Sequence, residues 1–445
     1  MDGVSNAPSR TARMNRKILH IALPSIISNI TVPLLSLVDI AITGHLGSPA
    51  YIGAIAIGGL MFNIIYWLFG FLRMGTSGMT AQAYGKRDLD ETVRILLRAA
   101  GTGLLIALLL MVLQRPIGQL ALSVIDAPAD IRPLASHYFN ICIWGAPAVL
   151  GLYGLSGWFI GMQNTRFPMF IAITQNIINI AASLCFVIGL KMKIEGVALG
   201  TLTAQYAGLV MALLLWVRCY YSRLKIKITL TEIVKKEALK RFFQTNNDIF
   251  LRTLCLVAVT TFFTTCGARQ GTVILAVNTL LMQLFILFSY IMDGFAYAGE
   301  ALVGKYTGAG NPAERKQAVQ TLFRWGIGLA AAFTLLYGIG GQDFLALLTD
   351  DPTVIGASRP YFHWALAIPA AGFAAFLWDG IFIGATATRP MLCAMTIASA
   401  LFFLLYYTLY PRWGNHALWL AFIVYLAMRG LVQTLFYLRQ NPDRH

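Results

Sequence analysis

The residue with most chemical consequence is a carboxylic acid inside a long apolar run. Asp39 lies within Ile18 to Leu46, and an ionisable group at the centre of a bilayer costs roughly 2.5–3.5 kcal/mol on insertion scales. A function must offset that cost. At about 100° per residue, Ser25, Asn29, Ser36, Asp39 and Thr43 fall within roughly 80° of one another, a polar stripe on an apolar rod. Pro33 has no N–H and leaves the carbonyl of Asn29 without its helical partner, so the helix can bend just before Asp39, with Pro33 as the candidate hinge. A titratable group beside a bend suits ion coupling. The plainer reading is a carboxyl that hydrogen-bonds neighbouring helices.

Further along, Gln175, Asn179 and Ser183 share one helical face, as do Thr201 and Gln205. They could complete a polar cluster with Asp39 or simply bond packed helices together. Ser289, Asp293, Tyr297 and Glu300 form a second stripe, with Asp379 in a later run. Asp293, Tyr297 and Asp379 are candidates for a cavity or a second coupling site. Glu300 is another, although its place near a span end also suits a solvated group. Arg73 could neutralise one of these acids or snorkel to the interface. Met61, Trp67, Phe288 and Met292 could line an adaptable apolar cavity or pack against core and lipid. Nothing points to an enzyme. The six histidines lack metal-ligand spacing, no nucleophile-and-base constellation stands out, and no strand-to-helix Gly-rich loop would hold ATP. We expect no metal, no cofactor, no ATP and no disulfide among the six scattered cysteines.

These residues need a scaffold, and composition identifies it. Of 445 residues, 58% are apolar and 12% charged, against roughly 25% charged in a soluble domain. Several apolar runs reach the roughly 20 residues that a bilayer requires. Hydrocarbon satisfies no backbone group and the runs do not alternate like lipid-facing strands, so the fold class is all-α and polytopic. Twelve spans are expected at 17–46, 51–82, 93–114, 133–161, 168–190, 196–220, 248–268, 272–304, 317–341, 360–385, 390–411 and 415–438. This makes 1–16 an N-terminal tail, 17–220 an N-lobe, 221–247 a linker, 248–438 a C-lobe and 439–445 a C-terminal tail. The linker is basic and partly amphipathic, which suits either a segment lying on anionic membrane lipid or a solvated connection.

The net charge of +15 follows topology rather than nucleic-acid binding. With the N-terminus cytoplasmic, the inside connections hold Lys86, Arg87, Arg94, Arg166, Arg218 to Arg241, Lys305, Arg315, Lys316 and Arg389, while the outside ones are poorer. This is the positive-inside pattern. Both termini are then cytoplasmic.

The halves repeat. Gly157-Trp-Phe-Ile-Gly161 with Thr165-Arg166 matches Gly380-Ile-Phe-Ile-Gly384 with Thr388-Arg389, and Tyr138-Phe139 matches Tyr361-Phe362, all about 223 residues apart. Six spans per half return the chain to its starting side, so the two six-helix lobes should be related by a pseudo-two-fold axis along the membrane normal. A central cleft and alternating access are typical of that arrangement.

Leu35-Ser-Leu-Val-Asp39-Ile-Ala-Ile-Thr-Gly-His-Leu46 resembles the multidrug and toxic compound extrusion (MATE) transporters. Phe71-Leu-Arg-Met-Gly-Thr-Ser-Gly-Met-Thr-Ala-Gln82 and Asp293-Gly-Phe-Ala-Tyr-Ala-Gly-Glu300-Ala resemble their DinF branch. The likeness covers essentially the whole chain. It implies a monomer exporting small, amphipathic organic compounds across a bacterial inner membrane against an inward flow of protons or sodium ions. By motif, the family's first-span acid falls on Asp39, its fifth-span asparagine on Asn179 and its sixth-span threonine on Thr201. Where similar proteins often have a second aspartate, this chain has Ser183. Loss of that hard anionic ligand favours a proton over sodium as the coupling ion, with Asp293 or Asp379 as candidate aids. The seventh span, Phe250 to Cys266, lacks the glutamate of the NorM type. In the mechanism so implied, burial favours the neutral Asp39 carboxyl, protonation from outside lets the first helix rearrange at Pro33, and the narrowed N-lobe cavity displaces substrate. The rivals are a sodium-coupled exporter and a lipid-linked precursor flippase. Against the flippase stands the expectation that the deep residues are acidic or neutral. A lipid-modifying enzyme and a passive channel are the alternatives from other classes.

Overall fold

The computed structural model describes residues 10–44, 49–125, 128–221 and 229–440. All long elements among them are helices: α1 (Arg10–Gly44), α2 (Pro49–Leu68), α3 (Phe71–Gly85), α4 (Leu89–Val112), α5 (Gln114–Ile125), α6 (Arg132–Cys142), α7 (Ala146–Gly161), α8 (Arg166–Leu184) and α9 (Ile194–Trp216). After the short α10 (Leu230–Ile233) come α11 (Lys236–Arg269), α12 (Thr272–Gly308), α13 (Pro312–Leu348), α14 (Pro352–Ser358), α15 (Phe362–Gly384), α16 (Thr388–Trp413) and α17 (Asn415–Gln440). Among the described residues, eleven helical stretches are long and apolar enough to span a bilayer, the first combining α2 and α3. The 35-residue α1, about 50 Å long at 1.5 Å per residue, supplies the twelfth. Leu105, Val112, Ile339 and Leu347 are 70%, 78%, 85% and 82% exposed, as residues facing hydrocarbon should be.

The chain divides into two compact units. The N-unit is residues 24–246. The C-unit is 247–445 together with 1–23. The first turns of α1 thus belong to the C-unit and those of α11 to the N-unit. Lys17 donates to the Tyr306 hydroxyl at 2.9 Å and Trp325 donates to Asn15 at 3.0 Å, both within the C-unit. The expected linker also differs: α11 starts at Lys236, so its later part is already the seventh span. Residues 222–228 lie outside the described residues. Arg98 holds α10 on α4, donating to the Ile233 carbonyl at 2.9 Å and to Glu91 at 2.6 Å.

The repeat is written into helix ends and contacts. Asp88 caps α4 by accepting from the Glu91 N–H at 3.0 Å, and Asn311 caps α13 by accepting from the Glu314 N–H at 3.1 Å; each places a side-chain acceptor on an orphan donor of the first turn. Just before these caps Arg87 and Gly310 share a φ of 61°. A Cβ on Gly157 would collide with the Arg73 carbonyl, and one on Gly380 with the Ala296 carbonyl. The two GxxxG pairs therefore serve close packing, of α7 on α3 and of α15 on α12. Of the residues considered for an adaptable cavity, Met61, Phe288 and Met292 are instead packed in the interior.

Gly380→Leu should destabilise the fold by about 1–3 kcal/mol through overpacking. Gly338→Ala, where a Cβ meets nothing, should not. Thermal unfolding of the detergent-solubilised protein checks the contrast.

Candidate functional site

In the N-unit, two glycines bring α8 and α9 together. A Cβ on Gly200 would overlap Ser183, and one on Gly208 would overlap Gln175. At that separation Asn179 donates to Thr201 Oγ1 at 3.2 Å, and Ser183 donates to Asn179 Oδ1 at 3.4 Å. Asn179 and Ser183 are buried. Tyr138, from α6, hydrogen-bonds Thr201 and Cys142, and both Tyr138 and Cys142 lie within electrostatic reach of Asp39. Asp39 itself is 9% exposed. The structure thus gathers Asp39, Asn179, Thr201 and Ser183 with a residue that the sequence reading missed. Tyr138 was legible only as a repeat marker, because a tyrosine on an apolar face usually signals core.

The remaining N-unit candidates do other work. Gln175 donates to the Ala204 carbonyl at 3.4 Å, and Gln205 lies against Gly145, where a Cβ would strike its amide oxygen. Asn29 is half-buried, and the side chain of Ser36 lies outside the described residues. Asn176, unremarked in the sequence, donates to the Thr31 carbonyl at 3.0 Å, tying α8 to α1 two residues before Pro33. α1 remains helical through both Pro24 and Pro33.

The C-unit gives its carboxylate a different setting. Asp379 on α15 accepts from Arg252 of α11, from Arg429 of α17 at 2.6 Å and from Gln433 at 2.8 Å. All four residues are buried. Arg429 also lies 5.4 Å from the Tyr425 ring centre and within electrostatic reach of Asp293. The expectation that the deep residues are acidic or neutral is therefore wrong: the search weighed acids and passed over two lone arginines, each surrounded by apolar sequence. Glu300 is buried rather than solvated. α12 continues to Gly308, and Gly384 admits α15 against the Glu300 carbonyl. Tyr297 is half-buried on the same helix.

The repeat register sharpens this contrast. Phe262, Phe402 and Tyr406 occupy the places in the C-unit that Asp39, Asn179 and Ser183 occupy in the N-unit. Phe262 packs edge-on against Phe402 and Tyr406, with ring centres 5.9 and 5.0 Å apart. One copy of the repeat is polar here and the other aromatic. At these three matched places the N-unit copy carries a carboxyl and the C-unit copy does not.

The sequence pattern of the MatE family matches residues 24–185 and 249–408, one segment in each half. The chain belongs to the MatE family. This MatE transporter is 39% identical to DNA damage-inducible protein F of Escherichia coli over 94% of its own length and 90% of that protein's, which places it in the DinF branch. It is 22% identical to the probable multidrug resistance protein NorM of Geobacillus kaustophilus, over 97% of its length and 96% of that protein's. Its fold matches a mutant of the Vibrio cholerae MATE transporter VcmN with a TM-score of 0.87 at 16% identity, covering 98% and 99% of the two chains. The family is one of transporters, not enzymes, and the chain is a polytopic membrane protein with the expected twelve helices in two lobes.

In this MatE transporter, Asp379→Leu leaves two buried guanidinium groups without their carboxylate and should cost about 3–5 kcal/mol. Adding Arg252→Met and Arg429→Met should recover much of that loss. Thermal unfolding of the single and triple variants measures both effects.

Proposed function

We propose that this protein is an antiporter exporting small amphipathic organic compounds across the cytoplasmic membrane of a bacterium in exchange for protons, with both termini cytoplasmic. The observation that carries this reading is the burial of Asp39 within reach of the neutral Tyr138 hydroxyl and Cys142 thiol. A desolvated carboxylate is disfavoured relative to its protonated form, so Asp39 is suited to take a proton from one side and release it to the other. Tyr138, Thr201 and Asn179 supply the polar surroundings in which the charged form is tolerated during the cycle.

Ser183 supports a proton over sodium. Sodium, a hard cation, is held by several oxygen ligands with anionic ones among them, and a serine hydroxyl contributes no charge. Protonation of Asp39 would favour a different shape of α1, with Pro33 as the yielding point, and a cavity less open to substrate. One charge crossing 100 mV contributes roughly 2.3 kcal/mol, enough for about a fifty-fold gradient of a neutral substrate in one-to-one exchange. A lipid-linked precursor flippase is the second reading, because buried Arg252 and Arg429 remove the charge argument against it. Their shared bonds to Asp379 weigh against free cationic recognition.

The test is dye efflux from proteoliposomes under imposed proton or sodium gradients. The intact protein should respond to the proton gradient, and Asp39→Asn should lose that response. Equal efflux by both proteins would remove Asp39 from the mechanism, and a response to sodium alone would overturn the ion assignment. Translocation of fluorescent lipid in place of dye would favour the flippase.

A further inference from the structure

A groove of about 440 Å³ opens on the C-unit between the first turns of α1 and the middle of α13. Asn15 and Trp325 form its wall, joined by their 3.0 Å hydrogen bond, and Trp325 is held from behind by Phe295, with ring centres 5.7 Å apart. Gly328, Leu329 and Ala332 make an apolar floor. Gly328 opens onto the hollow, where a Cβ would meet nothing.

Among the described residues, Arg324 is the only charged one lining this groove. It lies exposed within the span Pro312–Leu348 and has no ion pair or side-chain hydrogen bond among the described residues. An exposed arginine inside a span is costly unless it reaches the interface. Helical side chains lean toward the helix N-terminus, so Arg324 leans toward the membrane surface at which α1 also begins, since Arg10 meets Glu314 there at 3.1 Å. Arg13 and Arg16, on the first turns of α1, are likewise exposed and unpaired among the described residues. Glu314 is already engaged by Arg10.

An apolar trough, an indole at its rim and an unpaired guanidinium above it match a phospholipid: acyl chain on the floor, phosphate on the arginine. Basic pockets between spans near a membrane surface are suited to anionic headgroups. We propose that this groove binds an anionic phospholipid from the leaflet at the N-terminal end of α1, with its phosphate on Arg324. The site has no twin, because Gly101 stands at the matching position of the N-unit. The inference does not depend on the identity of the exported compound or the coupling ion.

The full chain in phosphatidylcholine vesicles, titrated with brominated phosphatidylglycerol or brominated phosphatidylcholine, tests it. The readout is quenching of the Trp325 share of the emission, taken by difference from Trp325→Phe because the chain has nine tryptophans. Half-quenching should need about fivefold less of the anionic lipid, the preference that roughly one basic group confers. Arg324→Gln should bring the two lipids together, as should Gly328→Leu, which fills the groove and keeps the charge. Arg324→Lys should keep most of the preference. Millimolar inorganic phosphate should leave the curves unmoved. Equal quenching by the two lipids in the intact protein overturns the assignment, and so does displacement of the anionic lipid by free phosphate.

Discussion

A carboxylate taken out of water must be paired with positive charge or be ready to lose its own. This constraint separates Asp379 from Asp39. Asp379 is paired with Arg252 and Arg429 and held by Gln433. Asp39 is gathered with the neutral side chains of Tyr138 and Cys142. The first setting fixes a charge in place; the second suits a charge that comes and goes. The proposed division of labour, transport chemistry in one copy of the repeat and structural bonding in the other, follows from this difference. The aromatic trio Phe262, Phe402 and Tyr406 reinforces it.

The scaffold makes such a difference affordable. Both copies keep the same close helix contacts, where Gly157 and Gly380 admit a neighbouring carbonyl, and the same cap chemistry at Asp88 and Asn311. The frame is conserved within the chain while the polar interior diverges. α1 contributes its first turns to the C-unit and Asp39 to the N-unit, with Pro24 at the division and Pro33 between it and the acid. A helix that lacks two backbone donors is softer at those points, so a charge change at Asp39 has a natural place to be felt.

Much of this was legible in the sequence because bilayer burial leaves strong signals. Hydrophobic runs of spanning length gave the helices, the repeated glycine and threonine pattern gave the halves, and Asp39, Asn179, Thr201 and Ser183 stood out as polar residues in apolar surroundings. Tyr138 and Asn176 did not stand out. A tyrosine is half apolar, and the bond from Asn176 goes to a backbone carbonyl that no motif records. Arg252 and Arg429 were visible letters whose meaning depended on Asp379, more than 100 residues from the first and on another helix from both. Glu300 was misread because its burial depends on how far α12 extends and how closely Gly384 lets α15 approach. Such facts are properties of packing between distant segments, which periodicity along one segment does not encode.

The most direct measurement of the central claim is the proton count on substrate binding. If substrate and proton compete through Asp39, adding an exported dye to the purified protein in weakly buffered detergent solution must release protons, by the reciprocity of linked equilibria. The account predicts a release approaching one proton per bound dye at the pH where Asp39 is protonated, and none from Asp39→Asn. Undiminished release from that variant, with dye still bound, would contradict it.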